Sequence, residues 1–97
     1  MASNLPVPAD QASDTDLVLR QVLSDVLGID ADRVDAFGED TGLFGHLPEL
    51  DSMAVAGLLT ELEDRLDVII EDDDVDGEML ETFGGLRKFL ADKRAGV

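Results

Sequence analysis

Val55, Leu58, Leu59, Leu62 and Leu66 recur at intervals of three and four residues, a spacing that lines one face of an α-helix and no face of a β-strand. Thr60, Glu61, Glu63, Asp64 and Arg65 fill the positions between them, so the segment predicts an amphipathic helix with a charged back. The same spacing in Leu19, Val22, Leu23, Val26 and Leu27 predicts an earlier helix, ended by Gly28. Phe83, Leu86, Phe89 and Leu90 predict a last one, capped by Thr82 despite Gly84 and Gly85 near its start. Arg87, Lys88, Lys93 and Arg94 lie in its later part, where cations suit the helix dipole. Val68, Ile69 and Ile70 look briefly like a strand, but no second strand pattern exists for them to pair with. They are read as buried linker. The expected fold is all-α: a small four-helix bundle of three main helices, one short helix and a long first loop.

The rest of the chain divides around these helices. Residues 1–13, with Pro6 and Pro8 and no apolar period, have the composition of a solvated tail. Order is expected to begin near Ser13 to Thr15, which can cap the first helix. The domain is placed at 14–92, with 93–97 as a C-terminal tail. Between Ile29 and Leu50 the period fails, and Gly38, Gly42, Gly45 and Pro48 mark a connection long enough to suggest function. Val34, Phe37, Leu43, Phe44 and Leu47 within it are expected to tuck it against the helices. After the acidic run Glu71 to Asp74, residues Val75, Met79 and Leu80 predict one short irregular helix interrupted by Gly77.

Composition narrows what such a bundle can do. The 97 residues contain no Trp, no Tyr and only four Phe, so Leu, Val, Ile and Ala must pack the small core that a chain of this length allows. With 23 acidic against 7 basic side chains the formal net charge is -16. That field repels nucleic acid and anionic membranes, attracts proteins with basic patches, and strains the compact state by self-repulsion. The absence of Cys excludes disulfides, zinc ribbons, iron–sulfur clusters and thiol nucleophiles. Neither a signal peptide nor a run of roughly 20 apolar residues is present, and a soluble cytoplasmic protein is expected.

Chemistry is concentrated in Leu50-Asp51-Ser52-Met53, which places one hydroxyl where a glycine-containing loop becomes the best-defined helix. A Ser at a helix start ordinarily serves as a cap. Here its surroundings add to that. Asp51-Ser52-Met53 opens the second main helix, after a long first loop, in a small and strongly acidic chain, and in these features residues 14 to 92 resemble the acyl carrier protein family.

The resemblance implies that Ser52 is modified by a phosphopantetheinyl transferase using coenzyme A and magnesium, and that the chain is a carrier and not an enzyme. The thiol of the 4'-phosphopantetheine arm would hold acyl groups as thioesters, supplying the nucleophile the polypeptide lacks. This makes the chain a phosphoprotein of fatty acid biosynthesis, lipid metabolism or another acyl pathway, and a monomer. A phosphodiester on Ser52 would lie beside unpaired backbone N–H groups at the positive end of a helix dipole. Asp51 would present the hydroxyl to the transferase, and Met53 would be a flexible apolar contact. Glu61, Glu63, Asp64 and Asp67 would meet basic patches on acyl-loading and acyl-transfer enzymes. Closer to Ser52 the family commonly has acidic residues, whereas this chain has Ala54 and Gly57, which points to dedicated partners. Leu47-Pro48-Glu49-Leu50 replaces the usual glycine-containing approach and is similar to carriers of specialised acyl or exopolysaccharide pathways.

Other readings are open. Asp72, Asp74, Asp76 and Gly77 match the opening of an EF-hand calcium loop, but Phe83 stands where its bidentate Glu belongs. Ser52 with His46 and Asp51 would make a hydrolase, without a nucleophile elbow. An unmodified acidic helical interaction module explains the charge and assigns nothing to Asp51-Ser52. A carrier of amino acids is a further variant, which Asp before Ser disfavours by family resemblance.

Overall fold

Each long apolar stripe becomes a helix. The computed structural model describes the backbone of residues 8–96 and the side chains from Asp14 to Gly96. Its helices are α1 (Pro8–Leu27), α2 (Ala31–Asp35), α3 (Ser52–Leu66), α4 (Gly77–Glu81) and α5 (Phe83–Arg94), with a 3-10 turn at Asp72–Asp74. No β-strand forms among the described residues. Within them, no helix is long and apolar enough to cross a membrane.

The first helix starts at Pro8, ahead of the expected Ser13 to Thr15. Proline suits the first helical position because its missing N–H has no intrahelical role there, and Ala9, Gln11 and Ala12 propagate a helix well. Of the expected tail, residues 1–7 lie outside the described residues. Thr15 is fully buried inside α1 and does not cap it; its hydroxyl accepts a hydrogen bond from Arg94 Nη1 at 3.1 Å. At the other end Gly28 adopts φ 69°, a left-handed geometry that favours glycine, and its N–H donates to Ser24 O.

The predicted loop from 29 to 50 is not wholly irregular, since it contains α2. A five-residue helix has too short a period to read, and its support is tertiary. Val34 is buried, while Arg20 on α1 donates to the carbonyls of Val34 at 2.7 Å and Asp35 at 3.3 Å. Further along, Leu43 and Phe44 donate their N–H groups to Glu81 O and Leu80 O, and Phe83 and Gly84 donate theirs to Thr41 O and Glu39 O. These bonds, around an antiparallel bridge between Gly42 and Thr82, tie the loop to the α4–α5 junction. They also account for Gly84, where a Cβ would run into the Glu39 backbone.

Helix α1 packs against α2, α3 and α5, and α4 packs against α5. Leu19, Val22, Leu23, Leu43, Leu58, Leu62, Phe83, Leu86 and Leu90 are fully buried between them. Of the loop phenylalanines, Phe37 is buried and meets Phe83 edge-on, ring centroids 6.2 Å apart, whereas Phe44 is only partly buried. Arg20 lies 4.5 Å over the Phe83 ring and Arg87 lies 5.7 Å from its centroid. Both donate to Asp16, and Arg87 also bonds Glu39. Burial pushes the Asp16 carboxyl up, but hydrogen bonds from Arg20 and Arg87 outweigh it and hold the group below its ordinary value.

The segment 68–70 is not a uniformly buried linker. Val68 and Ile70 are partly buried and Ile69 is 73% exposed, because the chain leaves α3 through Asp67 in a left-handed conformation, φ 56°. The N–H of Ile70 is satisfied by Glu63 Oε2 at 2.7 Å. Gly77 does not interrupt the short helix but begins it, capped by Asp76, whose side chain accepts from Met79 N–H. Thr82 caps α5 as expected, accepting from Gly85 N–H at 3.0 Å. Lys93 and Arg94 belong to α5 and not to a tail, and they pair with Asp74 and Asp14.

Candidate functional site

The segment leading to α3 is anchored by Leu47 and Leu50, both buried. Leu47 N–H donates to Leu43 O at 2.8 Å, and Leu50 N–H to Leu47 O at 3.1 Å, which closes a turn around Pro48 and Glu49. Asp51 then has extended backbone geometry, and its Oδ1 accepts from Ala54 N–H at 2.8 Å. Asp51 is therefore the N-cap of α3, a role Asp fills as well as Ser. This corrects the expectation that Ser52 caps the helix.

With the cap supplied by its neighbour, Ser52 becomes the first helical residue. It is exposed, and its hydroxyl has no hydrogen-bond partner among the described residues. The first intrahelical bond runs from Val55 N–H to Asp51 O, at 3.0 Å. That leaves the N–H groups of Ser52 and Met53 without backbone partners, at the positive end of a helix of 15 residues. Apart from the capping Asp51, the first turn of α3 has no acidic side chain.

These features fit a phosphodiester on Ser52 Oγ. The free amides and the helix dipole favour an anion there, and Ser52 is exposed. The adjacent Asp51 charge opposes it, and its hydrogen bond from Ala54 N–H engages Oδ1 with the backbone. Met53 is 86% exposed, and beyond it Ala56, Gly57 and Thr60 are exposed and uncharged.

The acidic residues of α3 do not form one free row. Glu61 Oε2 accepts from Arg65 Nε at 2.7 Å, and Glu63 is taken up by the Ile70 amide. Asp64 and Asp67 are exposed, about 18 to 22 Å along the helix axis from Ser52 at 1.5 Å per residue. All 7 Lys and Arg side chains make ion pairs within the fold. The charge offered to a partner is therefore almost wholly negative.

The calcium half-match has other tasks. Asp74 pairs with Lys93 and accepts from Glu71 N–H. The Lys93 hydrogen bond is the main reason its carboxyl lies below the ordinary value. Asp76 caps α4, and Phe83, in the place of the twelfth ligand, is fully buried in the core. Among the described residues no three His, Cys, Asp or Glu side chains are grouped to hold a metal. His46 is exposed, and no hydrogen bond joins it to Ser52.

Sequence reasoning did not find the contact between Arg33 and Glu49, in which Nη1 donates to Oε2 at 2.8 Å. Nothing local signals it, because its partners are 16 residues apart and meet only once α2 forms.

Residues 17–90 match a family model described as a phosphopantetheine attachment site. The fold is similar to the solution NMR structure of a holo acyl carrier protein from Nitrosomonas europaea, with a TM-score of 0.75 and 34% sequence identity over 84% of this chain and 95% of that one. None of the curated proteins compared with the chain matches it.

Proposed function

Because the chain belongs to the phosphopantetheine attachment family, we propose that Ser52 is its attachment residue and that it serves as an acyl carrier in a fatty acid, polyketide or other specialised acyl pathway. The chain is a carrier protein and not an enzyme, and its cofactor is a covalently attached 4'-phosphopantetheine. That arm supplies a thiol on which acyl groups travel as thioesters. Supporting Ser52 as its site is a single arrangement: the side chain of Asp51 takes over helix capping and leaves the adjacent hydroxyl exposed beside free amides.

The polypeptide's own tasks follow from the geometry. Asp51 holds the first turn in register, so that Ser52 Oγ faces solvent where a transferase can reach it. Met53 offers the apolar contact next to it. Asp64 and Asp67, and Glu61 and Glu63 to the extent that their internal bonds yield, attract basic patches on phosphopantetheinyl transferases and acyl-handling enzymes. The neutral stretch between Met53 and Thr60 favours dedicated partners whose cations reach the far end of α3. A net charge of -16 opposes self-association, and we place the carrier as a monomer of the cytoplasm. By resemblance to the acyl carrier protein family, Asp before Ser favours acyl over aminoacyl cargo.

Intact-mass measurement tests the reading directly. After incubation with coenzyme A, magnesium and a broad-specificity phosphopantetheinyl transferase, the wild type is expected to gain the mass of one phosphopantetheine group. Ser52→Ala is expected to gain none. An unmodified wild type, or equal modification of the variant, would overturn it.

A further inference from the structure

Pro48 and Glu49 stand where a flexible glycine would leave the approach to the site loose, and the structure braces them. Their turn is closed by the Leu50 N–H to Leu47 O bond, and Leu47 and Leu50 are buried on either side. From the turn Glu49 reaches α2, where its Oε2 accepts from Arg33, while its Oε1 is buried and meets no donor among the described residues. Arg33 is thus the one side chain found to hold this carboxylate. The bond with Arg33 is the first cause keeping the Glu49 carboxyl below its ordinary value. Helix α2 is itself fastened from behind, through the Arg20 bonds to Val34 O and Asp35 O. A continuous line of contacts therefore runs from α1, through α2, to the residue just before Leu50 and Asp51.

We propose that Arg33, acting through Glu49, is a positioning residue for Ser52. It holds the 47–50 turn in the one arrangement that delivers Asp51 to its capping position and Ser52 outward. The inference rests on Ser52 being the attachment site. Without Arg33 the half-covered carboxylate loses the one side chain that holds it against α2, and Glu49 is free to turn toward water. Pro48 and Leu50 are covalently coupled to that movement. The approach then samples several arrangements, and a partner that binds one of them sees its apparent affinity reduced by the fraction in which it is populated. The global fold is little affected, because the pair lies at the surface, with the two side chains 47% and 30% exposed.

Steady-state modification of apo protein by a broad-specificity phosphopantetheinyl transferase, with coenzyme A and magnesium, separates these effects. For Arg33→Ala the KM for the carrier is expected to rise about three- to tenfold, with kcat within about twofold of wild type and a nearly unchanged thermal midpoint. Arg33→Lys and the exchanged pair Arg33→Glu with Glu49→Arg are expected to recover most of the loss. A KM for Arg33→Ala equal to wild type overturns the proposal. So does failure of both rescuing variants, since the ion pair is then not the agent. Modified wild type with unaffected Arg33→Ala sinks the positioning role alone, whereas wild type left unmodified at Ser52 removes the attachment reading and this inference with it.

Discussion

Replacing Arg20 by Met removes the charge while keeping an apolar stem of similar length, and it strikes the point where three elements meet. The guanidinium bonds Asp16 at 2.5 Å and Val34 O at 2.7 Å and lies over the Phe83 ring. Hydrogen bonds to charged groups are worth about 1.5 to 3 kcal/mol each, and a partly desolvated cation over an aromatic ring about 1 kcal/mol. Arg20 and Asp16 retain 19% and 25% exposure, so water screens part of the ion pair and the full sum is not realised. A loss of about 2 to 4 kcal/mol is expected, a large share of the stability of a small domain. At about 4 to 8 °C per kcal/mol for a domain of this size, the thermal midpoint falls by roughly 8 to 30 °C. Far-UV circular dichroism in a urea series reads this well, since a chain without Trp or Tyr gives little intrinsic fluorescence. Lys88→Met serves as the control, because the Lys88 side chain is 78% exposed in its pair with Asp92 and its removal should cost at most about 0.5 kcal/mol. If Arg20→Met costs no more than Lys88→Met, the reasoning that makes Arg20 the fastening of α2 is wrong.

Asp51→Ala removes the cap and is expected to lower stability by about 1 kcal/mol, while Asp51→Asn keeps the capping oxygen and most of that stability; slow loading by a transferase in both would show that the charge matters beyond the cap. Gly84→Ala is expected to destabilise by about 1 to 3 kcal/mol, since its Cβ meets the Glu39 backbone. By contrast Gly57→Ala, with only Val26 near at 4.0 Å, should stabilise by about 0.5 to 1 kcal/mol; denaturation curves of the two variants check the opposite signs. Asp16 has a lowered pKa in the fold, so its contribution is present above its unfolded value near pH 4 and is lost as the pH falls through the lower folded value. The stability difference between wild type and Asp16→Asn should therefore be full at about pH 6 and shrink as the pH falls below about 4, and a difference independent of pH would remove that assignment. Charge reversal at Asp64 and Asp67 is expected to slow loading and flatten its dependence on salt, which initial rates at two ionic strengths would show.

Local pattern was enough for much of this. The stripes Leu58-Leu62-Leu66 and Leu86-Leu90 face the core because a helical period admits few other burials, and Thr82 and Gly28 act as cap and stop because their chemistry is local. The proposed attachment motif could also be picked out locally, since Asp51-Ser52-Met53 needs only its neighbours and the following helix. Which of the two polar residues caps was not. Asp and Ser are nearly equal as caps, and the choice depended on how buried Leu47 and Leu50 set the phase of the turn before α3. Helix α2, the bridge between Gly42 and Thr82, and the tie from Arg33 to Glu49 join residues far apart in the chain. Such contacts have no periodic trace, because each partner's position is set by packing that exists only after the helices have come together. The same holds for charge. Composition determined that the molecule is strongly acidic, but only the tertiary structure decided that Glu61 and Glu63 are engaged within the fold while Asp64 and Asp67 stay open to solvent. A carboxylate's availability depends on which donor lies within hydrogen-bond reach, and that is a property of three-dimensional distance.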